Sequence, residues 1–188
     1  MDAMDDASTR CFGTGDPLME RYHDEEWGRP VRDDAALFER IALEGFQSGL
    51  SWSTVLRKRE GFRAAFSGWD VRAIARYDDR DVARLMGDAG IIRNRRKIDA
   101  TIANARALVA LWDAGETLEA LVWAHAPAET VRSRPASWED VPTESEESRD
   151  LAKDLKSRGF VFVGPVTMYA LMQACGLVDP HLAACPVR

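Results

Sequence analysis

Apolar residues recur every three or four positions through most of this chain, as they do along one face of an α-helix. The pattern is clear after Asp33, a predicted N-cap, and its core-facing positions are Leu37, Phe38 and Ile41. Glu44 continues the same stripe three residues later, although burying an unpaired carboxylate is expensive. The pattern therefore predicts a helix whose Glu44 carboxylate faces either the interior or a cleft.

Two glycines follow, and they are expected to end this helix in a turn. Gly45 and Gly49 lie on either side of Gln47, and Leu50 would form an apolar tip before Trp52 opens the next segment. A carboxylate, an apolar turn and a tryptophan so close together could form a pocket for a nucleobase with a wedge beside it. The alternative is an ordinary helix end with a core tryptophan and a solvated glutamate.

The same spacing predicts further helices and no internal repeat. We expect them at residues 51–59, 62–66, 71–76, 79–86, 95–113, 118–123, 145–158 and 166–175. Residues 11–28 are expected to form a loop, and the proline-containing residues 127–143 a surface excursion. Residues 161–163 could be a short strand, but nothing nearby offers it a partner strand. The chain is therefore predicted to be all-α after a disordered acidic leader at residues 1–9.

Composition narrows the class of protein. The 188 residues are 46% hydrophobic and 30% charged, which is typical of a globular protein. No run approaches the roughly 18 apolar residues of a membrane span, and the acidic N-terminus lacks the apolar segment of a secretory signal. We therefore expect a cytoplasmic protein with no membrane contact, folded as one domain or two small lobes.

The charge distribution does not exclude nucleic acid as a partner. A net charge of −6 argues against a protein that coats nucleic acid through bulk charge. The basic residues are nevertheless clustered, as Arg57-Lys58-Arg59, as Arg93 with Arg95-Arg96-Lys97, and as Lys153 and Lys156 with Arg158. Each cluster is either a solvated helix face or part of a surface that meets phosphates.

Cysteines and histidines at the two ends of the chain suggest a metal site. His181 and Cys185 are separated by three residues, a usable spacing for metal ligands, and Cys11 and His23 lie near the other end. Two cysteines and two histidines would form a closed tetrahedral set suited to structural zinc, which would tie the termini together. The alternative is two buried free thiols and two ordinary histidines. Cys175 lies in an apolar helix and is expected to be a core residue.

The segment from Gly159 to Thr167 resembles the turn of a helix–hairpin–helix motif. In such a turn a glycine lets the backbone approach a DNA phosphate, which the N–H groups of a helix N-terminus then bind. Gly164 and Pro165 fit the second half of the turn, because proline favours the first helical position. Phe162 occupies the place of the expected earlier glycine.

Several segments together resemble DNA-3-methyladenine glycosylase I, a family of the helix–hairpin–helix glycosylase superfamily. They are Phe-Gly-Thr-Gly-Asp-Pro at 12–17, Tyr-His-Asp-Glu-Glu-Trp-Gly at 22–28, Leu-Glu-Gly-Phe-Gln-Ser-Gly-Leu-Ser-Trp at 43–52, Asp-Ala-Gly-Ile-Ile-Arg-Asn-Arg-Arg-Lys-Ile at 88–98, Arg-Gly-Phe-Val-Phe-Val-Gly-Pro at 158–165 and Gln-Ala-Cys-Gly-Leu-Val at 173–178. They occur in the family's order and cover about residues 10–186. The resemblance implies a two-lobed glycosylase domain at residues 10–188.

The resemblance also implies a pocket for a flipped base. Glu44 would be the catalytic residue and accept hydrogen bonds from the methylated adenine. Phe12 and Trp52 would stack on that base, and Tyr22 would add a polar contact. Met19 stands where family members often have tyrosine, so one contact in the pocket would be either lost or apolar.

Further roles follow from the same resemblance. Gln47 and Leu50 would fill the gap that the flipped base leaves in the duplex, and Gly164 and Thr167 would bind a DNA phosphate. Asp179 is a second catalytic candidate, because related glycosylases place a catalytic aspartate in a similar Val-Asp-x-His context. The family's structural zinc would be held by Cys11, His23, His181 and Cys185.

The predicted activity is release of 3-methyladenine from alkylated double-stranded DNA by a monomeric enzyme, leaving an abasic site. No lyase step is expected, because Val166 occupies the place of the Schiff-base lysine of bifunctional relatives. Two rival functions are a DNA-binding module without activity and a zinc hydrolase. A module that only binds DNA has no need of Glu44 beside Trp52, and a catalytic zinc usually keeps one position open.

Overall fold

Helices and the turns that connect them make up the polypeptide in a computed structural model that describes residues 10–128 and 134–187. Its helices are α1 (Pro17–Glu25), α2 (Asp34–Gln47), α3 (Trp52–Arg57), α4 (Arg59–Ala65), α5 (Val71–Ala75), α6 (Asp79–Gly87), α7 (Arg95–Asp113), α8 (Leu118–Trp123), α9 (Glu146–Ser157) and α10 (Pro165–Ala174). Single 3₁₀ turns form at Ser67–Trp69 and Trp138–Asp140. No strand occurs in the described residues, so the all-α prediction is confirmed and the strand considered at 161–163 is absent.

Polar caps fix several helix starts where the sequence predicts them. Asp33 accepts a hydrogen bond from the Ala36 N–H at 2.9 Å, and Asp70 caps α5 in the same way. Asn94 caps α7, whose bounds are those predicted from the apolar stripe. Each such cap satisfies an N–H group that the helix cannot pair itself and contributes about 1 kcal/mol.

Two local predictions were wrong. Residues 17–25 form α1, not a loop, because Asp16 caps the helix and Pro17 occupies its first position. Helix α2 also continues through Gly45 to Gln47, so Gly45 does not end it. The chain turns instead at Gly49, whose φ of 80° lies in the left-handed region that glycine adopts without strain.

The main core forms around α2, which packs against α3, α7, α8 and α10. Its apolar face is almost completely buried, with Leu37, Phe38, Ile41, Leu43 and Phe46 at most 1% exposed. Burying each such side chain contributes about 1.5–3 kcal/mol. Glu44 lies on this rigid helix, so the core determines where its carboxylate points.

A second, smaller cluster joins the two ends of the described chain. It contains Cys11, Tyr22, Trp27, Leu56, Ala174 and Cys185. The backbones meet closely beside it: a Cβ atom on Gly176 would lie 2.6 Å from the Gly28 carbonyl oxygen, so only glycine fits there. The leader predicted at residues 1–9 lies outside the described residues, and the division of the domain into two lobes stays a prediction.

Among the described residues, no helix is both long enough and apolar enough to cross a bilayer.

Candidate base-binding site

A cavity of about 190 Å³ opens where α1, α2, α3 and α10 come together. Its lining comprises Phe12, Met19, Tyr22, Trp27, Glu44, Gln47, Trp52, Ala170 and Gln173. A single water needs only about 10–15 Å³, so there is space for a small planar ligand. The structure thus brings together Glu44 and all three residues predicted to contact a base.

Aromatic rings form most of the cavity wall. The ring centroids of Tyr22 and Trp52 are 5.2 Å apart with planes tilted by 44°, and Phe12 meets Trp27 edge-on at 4.8 Å. The indole Nε1 of Trp52 is buried and has no hydrogen-bond partner among the described residues. Such walls offer flat apolar faces, which suit a planar heterocycle.

Glu44 is the one acidic group in this lining. The residue is 6% exposed, and burial raises the pKa of its carboxyl to about 8, against the opposing effect of Arg40. None of the described residues donates a hydrogen bond to the Glu44 carboxylate. Its oxygens are therefore available to a ligand in the cavity.

Arg40 is a functional candidate that the sequence analysis did not identify. It lies one helical turn before Glu44, and its Nη2 donates to Glu26 Oε2 at 3.0 Å. Its guanidinium lies 5.8 Å from the centre of the Tyr22 ring, and its Nη1 is buried without a described partner. Arg40 is thus a largely buried cation next to the cavity, and it favours the ionised form of Glu44.

Trp27, Ala170 and Gln173 were also not assigned to the site from the sequence. Trp27 lies in one of the segments that support the family resemblance, so the sequence did contain a signal for its role. Ala170 and Gln173 are three residues apart and so share one face of α10. Gln173 also opens one of the segments that support the resemblance, whereas Ala170 could be assigned only once the packing of α10 was known.

The mouth of the cavity continues into a groove of about 310 Å³. One wall is the loop from Gln47 to Leu50, here called the insertion loop, and the other is the start of α10 with Val166 and Thr167. The Leu50 N–H donates to the Gln47 carbonyl at 2.6 Å, which closes a tight turn and leaves Leu50 43% exposed. The two wedge candidates thus lie directly beside the cavity.

The start of α10 has free backbone donors. Gly164 is the N-cap, Pro165 follows it, and no side chain caps this end. The N–H groups of Val166 and Thr167 belong to the first turn, for which an α-helix supplies no carbonyl partner. These donors and the helix dipole make the end of α10 attractive to an anion.

The turn before α10, residues 159–164, is here called the hairpin. Phe162 has a φ of 58°, so it adopts the left-handed conformation in which the motif would normally place glycine. Its side chain is 39% exposed and lies beside the guanidinium of Arg96 at 6.0 Å from the ring centre. The backbone at Phe162 is therefore left-handed although the sequence lacks that glycine, and the helix–hairpin–helix motif stays a prediction.

Three of the four candidate metal ligands meet at the second cluster, and the fourth, His181, lies beside them. The ligand atoms of Cys11, His23 and Cys185 all lie within 4.8 Å of one another, and all three residues are buried. The rings of His23 and His181 are 5.1 Å apart, and His181 Nε2 is buried without a described partner. The donor set and this unpartnered nitrogen both fit a structural zinc ion.

Carboxylates orient both histidines. His23 Nδ1 lies 2.7 Å from Asp24 Oδ1, and His181 Nδ1 lies 3.2 Å from Asp179 Oδ1. Each contact directs the Nε2 atom of its histidine away from the carboxylate, which is the usual arrangement around zinc-bound imidazoles. His23 Nε2 lies 3.3 Å from the Cys11 nitrogen and 3.6 Å from Cys185 Sγ, at the candidate site.

Asp179 does not line the base cavity. Asp179 pairs with Arg134 at 2.6 Å. Burial by itself would raise the pKa of the Asp179 carboxyl, but the hydrogen bond from Arg134 helps to hold that pKa below its ordinary value. The structure thus separates Asp179 from Glu44, with which the sequence analysis had grouped it as a catalytic candidate.

Many members of the basic clusters have partners within the protein. Arg57 pairs with Asp16, Arg59 with Glu26, and Arg158 with Glu116. Within the described ranges, four cluster residues make neither an ion pair nor a side-chain hydrogen bond: Arg93, Arg96, Lys153 and Lys156. Of these, Arg96 lies against the hairpin, so it is the cation most clearly placed near the groove.

Comparison with known proteins agrees with this geometry. The model of the methyladenine glycosylase family matches residues 12–188. DNA-3-methyladenine glycosylase 1 of Escherichia coli is 47% identical over 177 residues, which cover 94% of this chain and 95% of that protein.

Solved structures show the same fold. A crystal structure of a 3-methyladenine DNA glycosylase I superposes with a TM-score of 0.91 at 47% identity, covering 95% of this chain and 98% of the other. A structure of the Staphylococcus aureus enzyme, described as the basis of its 3-methyladenine recognition, has a TM-score of 0.89 at 35% identity, with 95% of each chain covered. The chain belongs to the methyladenine glycosylase family.

Proposed function

We propose that this protein is a DNA repair glycosylase that binds 3-methyladenine in the cavity and hydrolyses its N-glycosidic bond, leaving an abasic site. The observation that carries the proposal is the buried Glu44 carboxylate, which faces an aromatic cavity and has no hydrogen-bond partner in the described protein. An unpaired buried carboxylate is costly, so burial favours the neutral form of Glu44 in the ligand-free protein. A ligand that supplies donors and positive charge removes that cost and favours the ionised form. The names of the related proteins support the choice of base.

Charge explains how such a cavity selects the methylated base. Methylation at N3 makes the base in DNA cationic, whereas adenine is neutral. A carboxylate among aromatic faces favours the cation in a site from which water is excluded. The positive charge also weakens the glycosidic bond, so the enzyme mainly needs to extrude the nucleotide and bind the departing base.

The groove beside the cavity supports double-stranded DNA as the substrate. Leu50 is exposed at the tip of the insertion loop, and together with Gln47 it would occupy the space left by the flipped nucleotide. The free N–H groups at Val166 and Thr167 would bind a phosphate on the same side of the molecule. One duplex could then contact both walls of the groove.

Zinc is proposed as a structural cofactor. Cys11, His23, His181 and Cys185 would hold it, and the ion would cross-link the two chain ends without taking part in base release. Burial of the ligand group supports this role, because a catalytic zinc needs a position open to water. The same burial disfavours the zinc hydrolase.

Two finer features complete the proposal. The enzyme acts without a lyase step, because Val166 and not a lysine follows the Gly164-Pro165 pair. It also works as a monomer, since the cavity and both walls of the groove come from a single chain.

Chromatography of the bases released from methylated duplex DNA tests the proposed activity. We expect free 3-methyladenine from the wild-type protein and much less from Glu44→Gln. Strong duplex binding without any released base would instead support the DNA-binding module.

A further inference from the structure

The long helix α7 carries a buried lysine that contacts the end of α2. Lys97 is 8% exposed, and its Nζ donates to the main-chain carbonyls of Phe46 at 2.8 Å and Ser48 at 2.6 Å. The last carbonyls of a helix have no partner within it, so a cation there satisfies them and favours the helix dipole. Lys97 thus fixes the backbone from which the insertion loop starts.

Two turns further along α7, Asn104 makes a similar contact with the hairpin. It is 4% exposed, its Nδ2 donates to the Val161 carbonyl at 3.0 Å, and its Oδ1 accepts from the Val161 N–H at 2.7 Å. Both main-chain groups of one hairpin residue are therefore held by one side chain. Seven residues separate Lys97 from Asn104, so both lie on the same face of α7.

Little free space lies between these two contacts. Gly45, Lys97, Asn104 and Phe162 enclose a gap of only about 10 Å³, no more than one water requires. A Cβ atom added to Gly45 would lie 3.9 Å from that of Phe162, an ordinary van der Waals distance, so α2 and the hairpin pass close to each other here. A shift of either loop would have to break its bonds to α7.

We propose that Lys97 and Asn104 are positioning residues that hold the insertion loop and the hairpin at a fixed separation before DNA binds. The inference rests on the proposed function, in which one duplex contacts both loops at once. Apolar side chains could fill the same interior without desolvating polar groups, so burial of these two is best explained by the backbone they hold. Setting the geometry in advance spares the cost of ordering the loops during binding.

Lys97→Met and Asn104→Ala test the inference, with Arg106→Met as the matched control. Arg106 also lies on α7 and donates to two main-chain carbonyls, those of Ala75 at 2.9 Å and Tyr77 at 2.9 Å, but these belong to the α5–α6 connection. Affinity for free 3-methyladenine and single-turnover excision from a methylated duplex are measured for all three variants. We expect free-base affinity within about twofold of wild type throughout. Excision should fall roughly ten- to hundredfold for Lys97→Met and Asn104→Ala only, as loss of a charged or buried hydrogen bond predicts.

The outcomes separate the alternatives. Equal losses of free-base affinity and excision would mean that these residues support the base cavity, and unchanged excision would mean that they support only the fold. Either result overturns the inference. If Lys97→Met does not fold, Lys97→Gln, which keeps a donor, is judged by the same two measurements. A wild-type protein that releases no base would instead overturn the proposed function.

Discussion

Glu44 can serve either recognition of the base or activation of water, and one substitution distinguishes the two roles. Glu44→Gln keeps the shape of the side chain but removes its charge and one acceptor. Losing a charge-assisted hydrogen bond in a dry site costs about 1.5–3 kcal/mol, roughly a ten- to hundredfold effect. We expect affinity for free 3-methyladenine and the excision rate to fall by comparable factors. A collapsed rate with intact free-base affinity would show that Glu44 activates water.

The same carboxyl should make the stability of the ligand-free protein depend on pH. Burial raises its pKa from 4.5 to about 8, so the fold favours the neutral form. This contribution to stability is complete below pH 4.5 and is lost as pH rises through 8. The free energy of unfolding of wild type relative to Glu44→Gln should therefore decrease between about pH 5 and pH 8, by up to a few kcal/mol at about 1.4 kcal/mol per pKa unit. Urea unfolding of both proteins at the two pH values measures it, and a constant difference would show that Glu44 is not desolvated.

At the scale of whole elements, phosphate binding by α10 is testable at Gly164. Its φ of −72° and ψ of 160° are open to any residue, and a Cβ atom there would meet nothing within 4 Å. Gly164→Val should therefore fold normally but place a side chain where the phosphate approaches. We expect weaker binding to abasic-site duplex, a smaller salt dependence and unchanged affinity for free 3-methyladenine.

Gly87→Val is the matched control for that substitution. A Cβ atom on Gly87 would likewise meet nothing within 4 Å, and this glycine ends α6, away from the groove. The control should leave duplex binding unchanged. If Gly164→Val lowers free-base affinity as much as duplex affinity, the hairpin serves the fold and not the phosphate.

The helices also show how far local pattern determines structure. The bounds of α7 and α8 follow from the sequence, because an uninterrupted apolar stripe and a polar cap coincide in both. Helix α1 was missed because its buried residues are Tyr22 and His23, which face the cavity and the metal ligands and so leave no apolar stripe. Glu44 and Trp52 were identifiable from a short segment, whereas Arg40 and Ala170 depend on how distant helices pack.

At the scale of the whole molecule, the proposed zinc ion joins segments about 160 residues apart in sequence. Without it, the chain ends are held by the small apolar cluster and by ion pairs such as Arg134–Asp179. Metal binding that occurs only in the folded state adds its free energy to folding. Tyr22 and Trp27 of the small apolar cluster also line the base cavity. The ion should nevertheless affect stability much more than base recognition, because the cavity wall formed by α2, which carries Glu44, belongs to the main core.

His181→Ala tests this role, with His125→Ala as the control. His125 pairs with Asp154 and is not one of the four candidate ligands. We expect His181→Ala to lose its zinc and to melt at least about 5 °C lower, since 1 kcal/mol shifts the melting temperature of a domain this size by about 2–4 °C. Its affinity for free 3-methyladenine should stay close to that of wild type, and His125→Ala should keep its metal. Elemental analysis of protein purified without chelator decides the assignment: absence of zinc from wild type, or full zinc content in Cys11→Ala, would contradict the four-ligand site.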